Sequence, residues 1–81
     1  MNFYTYILYS KSLNRYYIGS TENIEIRLKE HMWKHKGYTS KANDWELVYS
    51  ETYNSKPGVY ARERQIKKWK SRVMIEKLIG N

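Results

Sequence analysis

Side chains alternate from Phe3 to Tyr9, with Phe3, Thr5, Ile7 and Tyr9 on one face and Tyr4, Tyr6 and Leu8 on the other. Aromatic and β-branched residues dominate this stretch, which predicts a strand. Ser10 to Asn14 is a polar turn cluster, and Asn14 tolerates a left-handed backbone. Arg15 to Gly19 then reads as a second, short strand, so the two form an antiparallel hairpin that brings Tyr6 close to opposite Tyr17. Gly19 is expected to end that strand as a structural turn into a helix. The pattern next changes period. Ile24, Leu28 and Met32 form a stripe at i, i+4 and i+8, capped by Asn23 or Thr21, with Arg27 and His31 flanking it. The helix is expected to fray near His35 to Gly37, before a polar, basic loop.

Trp45 to Tyr53, WELVYSETY, alternates again and predicts a third strand, with Trp45, Leu47, Tyr49, Glu51 and Tyr53 on one face. Ser55 or Lys56 can cap a second helix with Pro57 in its first turn. Val59, Glu63, Ile66 and Lys70 lie along one stripe of that helix, and Trp69 is expected in the core. Ser71 can cap a final helix that folds Val73, Leu78 and Ile79 back on the core. The order β-β-α-β-α-α predicts an α/β (α+β) fold, a three-stranded, mostly antiparallel sheet flanked by helices, in a single domain over residues 1–81.

Composition sharpens this picture. Eighty-one residues give a small core, and with no cysteine neither disulfides nor thiolate zinc can supplement it. The apolar part of the N-terminus is too short for a signal sequence and lacks a cationic lead, and no run approaches the ~18 apolar residues of a membrane span, so the expected location is cytoplasmic and off the membrane. The net charge is +7, and residues 56–77 hold eight bases against two acids, or +6 of it. A localised basic face suits a polyanion, most commonly nucleic acid; the plainer alternative is a solvated helix surface. Lys41, Arg62, Lys67, Lys68, Lys70 and Arg72 are the expected nucleic-acid contacts.

Glu63 is the most informative residue. Helical spacing directs it toward the protein, and a carboxylate there needs a partner. An ion pair with Arg27 or a neighbouring lysine and a divalent-cation ligand are both open. His31 and His35 have a spacing that can hold a metal, without an obvious third ligand. Arg27 with His31 reads better as an anion-facing pair, and Tyr38, Tyr49, Tyr53 and Tyr60 as structural residues or a stacking surface.

The chain resembles the GIY-YIG nuclease domain in its small stand-alone form, related to the N-terminal nuclease of the bacterial excision-repair endonuclease and to structure-specific and homing nucleases. Tyr4-Thr5-Tyr6 stands in the place of GIY with two letters changed, and Tyr17-Ile18-Gly19 is a complete YIG, ten residues separating Tyr17 from Tyr6 on the functional-tyrosine count. Arg27-x3-His31 and Tyr60-Ala61-Arg62-Glu63 followed by Ile66-Lys67-Lys68-Trp69 continue the match over nearly the whole chain. The resemblance implies an endonuclease that binds DNA, with RNA also admissible, and hydrolyses phosphodiesters with Mg²⁺ or Mn²⁺, in repair or recombination. It implies catalytic roles for Tyr6, Tyr17, Arg27, His31 and Glu63. Glu63 would be the metal ligand. Tyr17 is the first choice of general base on water with Tyr6 its orienter, the assignment between the two tyrosines staying open. Arg27 would stabilise the phosphate charge, with His31 assisting or positioning. The rival is a catalytically weak binding module of the same fold. Ser20 replaces a lysine common in the family, which Lys41 could replace as a phosphate contact. With no second domain in view, target choice would either be weak or come from a protein partner.

Overall fold

The computed structural model describes residues 2–33, 42 and 44–80, with the backbone alone for residues 30–33. β1 spans Phe3–Ser10, β2 Arg15–Thr21, α1 Ile24–Trp33, β3 Trp45–Tyr53, α2 Lys56–Trp69 and α3 Arg72–Ile79. The order is the predicted β-β-α-β-α-α. β1 is central, with β2 and β3 antiparallel on either side, so both outer strands are edges.

The pleat of β1 divides the core in two. On one face Tyr6 and Leu8 join Trp45 of β3, and Ile24 and Leu28 of α1 pack on them with Tyr17. On the other, Val59 and Ile66 of α2 are buried beside Ile7. Thr5 on this second face is fully buried and donates its hydroxyl to the Val59 carbonyl at 3.0 Å, which satisfies the polar atom and pins α2 to the sheet.

Local chemistry sets the element ends. Asn14 turns the hairpin at φ 55°, and its Oδ1 accepts the Tyr9 hydroxyl at 2.7 Å. Asp44 ties the same turn to the start of β3, accepting from Ser10 Oγ at 2.6 Å and Ser12 N at 2.8 Å. Asn23 caps α1 by accepting from Ile26 N, Ser55 caps α2, and Ser71 caps α3 by accepting from Met74 N. Between α2 and α3, Lys70 takes φ 48°, the left-handed break that separates them.

Four expectations change. Gly19 is not a turn: β2 runs on through Ser20 and Thr21 with Gly19 in its interior, paired with Tyr6. Its lack of a side chain is needed for close approach, since a Cβ there would lie 2.5 Å from the Tyr6 hydroxyl and 2.7 Å from Cζ. β3 does not keep one alternation. Ile7 pairs with Tyr49 but Leu8 with Leu47, so a bulge admits Val48 as an extra residue. Trp45 and Leu47 therefore share a face with Tyr6, while Tyr49, Glu51 and Tyr53 share the α2 face. Trp69 is only partly buried and sits under the Arg62 guanidinium, 5.5 Å from ring centroid to Cζ. Val73 is 60% exposed, and Ile75 of α3 lines a cleft with Ile18 and Ile66. No helix among the described residues is long and apolar enough to cross a membrane.

Candidate active site and basic face

Glu63 lies in the middle of α2, with 20% of its side chain exposed. Both carboxylate oxygens are engaged. Ser20 Oγ donates to Oε1 at 2.5 Å, and Lys67 Nζ approaches Oε2 at 2.6 Å. The ion-pair partner is thus the lysine one turn on, and not Arg27. Ser20, where the resemblance predicts a lysine, here orients a carboxylate.

Tyr6 and Tyr17 meet on the α1 face of the sheet, their ring centroids 6.4 Å apart. They are diagonal, not directly opposite, because Tyr6 pairs with Gly19 and Tyr17 with Leu8. Tyr6 is 3% exposed, while Tyr17 is half-buried and meets Trp45 edge-on at 6.3 Å. Glu63 approaches β2 from the α2 face. The two groups converge at one short stretch of the edge strand, where the Tyr6 ring covers Gly19 on one face and the next residue, Ser20, reaches Glu63 on the other.

Arg27 is exposed on α1 and lines a cleft of about 330 Å³ with Ser20, Thr21 and Asn23 on one side and Lys56, Val59 and Tyr60 on the other. Ser20 therefore belongs both to this cleft and to the Glu63 carboxylate. Tyr60, 51% exposed at its wall, presents a ring that a base can stack on. The side chain of His31 and all of His35, Tyr38 and Lys41 lie outside the described residues.

The basic helix divides by role. Arg62 is committed to Glu51 in a two-pronged pair, Nε to Oε1 at 2.9 Å and Nη2 to Oε2 at 3.0 Å. Tyr49 and Tyr53 add their hydroxyls to the same carboxylate at 2.5 Å and 2.6 Å. Burial would raise the Glu51 pKa, but these donors and the guanidinium charge overcome it and hold the group down at about 2. In return, the bond to Glu51 and burial push the Tyr49 phenol upward, and burial and the bond to Glu51 push the Tyr53 phenol upward. Arg72 is held by Asn14, through O at 2.9 Å and Oδ1 at 2.6 Å, and by Glu76 at 3.3 Å. These two arginines are intramolecular clamps. Lys68 and Lys70 are exposed, and no carboxylate among the described residues lies within 4 Å of either ammonium. Sequence reasoning missed the Glu51 cluster; the signal was Tyr-x-Glu-x-Tyr on one strand face.

The donor set fits a hard divalent ion. Glu63 offers carboxylate oxygen beside a hydroxyl, and the cation paired with it is a half-exposed lysine that can swing away. Among the described residues no three acidic or imidazole side chains cluster, so an ion here would keep most of its waters, as Mg²⁺ commonly does.

The pattern described as GIY-YIG catalytic domain matches residues 2–77. A UPF0213 protein of Syntrophus aciditrophicus (strain SB) is 45% identical over 67 residues, covering 80% of this chain and 76% of that protein. The solution NMR structure of a UPF0213 protein from Bacillus halodurans is 32% identical with a TM-score of 0.61, covering 98% of this chain and 83% of that one.

Proposed function

The chain belongs to the GIY-YIG catalytic-domain family, and from that membership we propose that it is a divalent-metal-dependent endonuclease that binds DNA and hydrolyses its phosphodiester bonds. Nuclease chemistry and nucleic-acid binding follow at the level of the family. The metal, the residue roles, a cytoplasmic setting in repair or recombination and a partner that chooses the target are parts of the proposal, as is residues 1–81 acting as one domain. RNA is a second admissible substrate.

One observation carries the reading. The second family motif runs straight into Ser20, and Ser20 joins the Glu63 carboxylate to the cleft that holds Arg27. Mg²⁺ or Mn²⁺ at Glu63 would supply Lewis acidity to the scissile phosphate and its leaving oxygen. The chain's residues do the rest. Ser20 fixes the Glu63 rotamer, so the carboxylate need not reorganise. Arg27 donates to phosphate oxygens as charge grows on them, with His31 one turn further along α1. Tyr17, the more accessible of the two tyrosines, takes a proton from the attacking water. Tyr6, buried and packed over Gly19, is rigid enough to orient that water.

Nicking of supercoiled plasmid tests the reading. Nicks should form with Mg²⁺ or Mn²⁺, cease in chelator, and fall at least a hundredfold in Tyr17→Phe, on the scale of a lost general base at ~10²–10⁴. The rival is a binding module of the same fold with little turnover, in which the internal donors on Glu63 serve structure alone. DNA retained at low salt with no nick on any substrate would establish that rival instead.

A further inference from the structure

A second cleft, of about 610 Å³, lies where the hairpin turn and the start of β2 meet α2 and α3. Its floor is Ile18 of β2, Ile66 of α2 and Ile75 of α3, and its rim carries Arg15, Lys67, Lys70 and Arg72 with no acidic residue among its lining. Two of those cations have internal work, Lys67 with Glu63 and Arg72 with Asn14 and Glu76. Arg15 and Lys70 are both exposed, and among the described residues neither has such a carboxylate partner within 4 Å.

This cleft is connected to the candidate active site through named contacts. Lys67 lines it and bonds Glu63; Glu63 bonds Ser20; Ser20 lines the Arg27 cleft. β2 is the edge strand that runs between the two, with Arg15 at its start and Ser20 near its end. Five residue steps at ~3.3 Å each separate Arg15 from Ser20, or about 17 Å. One phosphate cannot be held at both ends. A polyanion with regularly spaced charges can lie along the whole edge.

We infer that Arg15 and Lys70 form a second phosphate-binding subsite, which holds the DNA backbone on one flank of the scissile phosphate. The inference rests on the nuclease reading for the position of the cut, but the subsite itself is defined by charge and geometry. The left-handed break at Lys70 is what makes it. Had α2 continued through Ser71, the Lys70 side chain would project from a helix and not from the corner that rims the cleft. Arg72, clamped to Asn14 and stacked on Tyr16 at 5.3 Å, fixes that corner of the backbone against the hairpin turn. Arg15, on the first residue of an edge strand, escapes a search confined to the basic helix.

The test reads binding in chelator, where no hydrolysis occurs, so it is blind to whether the protein turns over. A fluorescein-labelled duplex of about twenty base pairs is titrated with wild type, with Arg15→Gln/Lys70→Asn, and with Lys29→Gln on α1 as control. Asn keeps the left-handed conformation accessible at position 70. Each phosphate contact contributes about 0.9 to the slope of log affinity against log salt. The double variant should therefore lose about 1.8 from that slope, so that between 50 and 200 mM salt wild-type affinity falls about tenfold more than the variant's. Lys29→Gln should match wild type. If the double variant binds with wild-type affinity and slope while keeping its melting temperature, DNA does not use this cleft and the inference is overturned.

Discussion

Replacing Glu51 by Gln should destabilise the protein strongly at neutral pH and hardly at all in strong acid. Glu51 is 18% exposed and accepts from Arg62, Tyr49 and Tyr53 together. Those donors take its pKa from 4.5 to about 2. A folded-state value below the unfolded one means stability that is present in full above pH 4.5 and lost as pH falls through 2. At about 1.4 kcal/mol per unit, the drop is worth at most about 3.5 kcal/mol. Gln keeps the volume and one acceptor but leaves the Arg62 guanidinium without its counter-charge, so about 2–3 kcal/mol is the expected loss at pH 7. A domain of this size holds roughly 4–12 kcal/mol in total, and each kcal/mol moves the midpoint by about 4–8 °C. The melting temperature, followed by circular dichroism, should fall by about 10–20 °C at pH 7. The gap between wild type and variant should narrow steadily below pH 4.5 and nearly close at pH 2. Equal melting temperatures at pH 7, or a gap undiminished at pH 2, would refute this account of the cluster.

Two further outcomes test the frame around the site. Gly19→Ala should cost about 1–3 kcal/mol, because the new methyl must displace the buried Tyr6 ring. The cost should shrink in a Tyr6→Leu background, and a cost unchanged there would place the strain elsewhere. Ser71→Ala should lower stability by about 1 kcal/mol in chemical denaturation through loss of the α3 cap, whereas no change would mean that Met74 N is equally well satisfied by water.

The sequence made the fold legible because its signals were local. Period-2 alternation marked β1, Asn14 and Ser71 carried the turn and cap chemistry their positions needed, and the β-β-α-β-α-α order followed. Non-local facts were not legible. The extra residue at Val48 leaves no trace in an alternating string, so Tyr49, Glu51 and Tyr53 could not be assigned to the α2 face. Without that, the pairing of Glu51 with Arg62 was hidden. Gly19 suggested a turn because glycine often makes one, yet its neighbour across the ladder decides its role. Glu63 was placed inward by helical spacing and a neighbouring lysine was among its expected partners, but the approach of Ser20 from β2 was not legible. Tyr6 and Tyr17 were brought together by hairpin register, but no spacing in the sequence could show that Glu63 reaches the same strand edge from the other face.

The most direct test of the central claim is the nicking rate of Glu63→Gln against wild type in Mg²⁺, with DNA affinity measured on the same samples in chelator. Gln keeps the side chain's shape and an oxygen for Ser20 while removing the charge that would hold the ion. The account predicts that nicking falls by at least a hundredfold, as when one electrostatic stabiliser worth about 3 kcal/mol is lost, while binding stays within a few-fold. Wild-type nicking in Glu63→Gln would contradict it, because the metal-bearing carboxylate would then lie elsewhere.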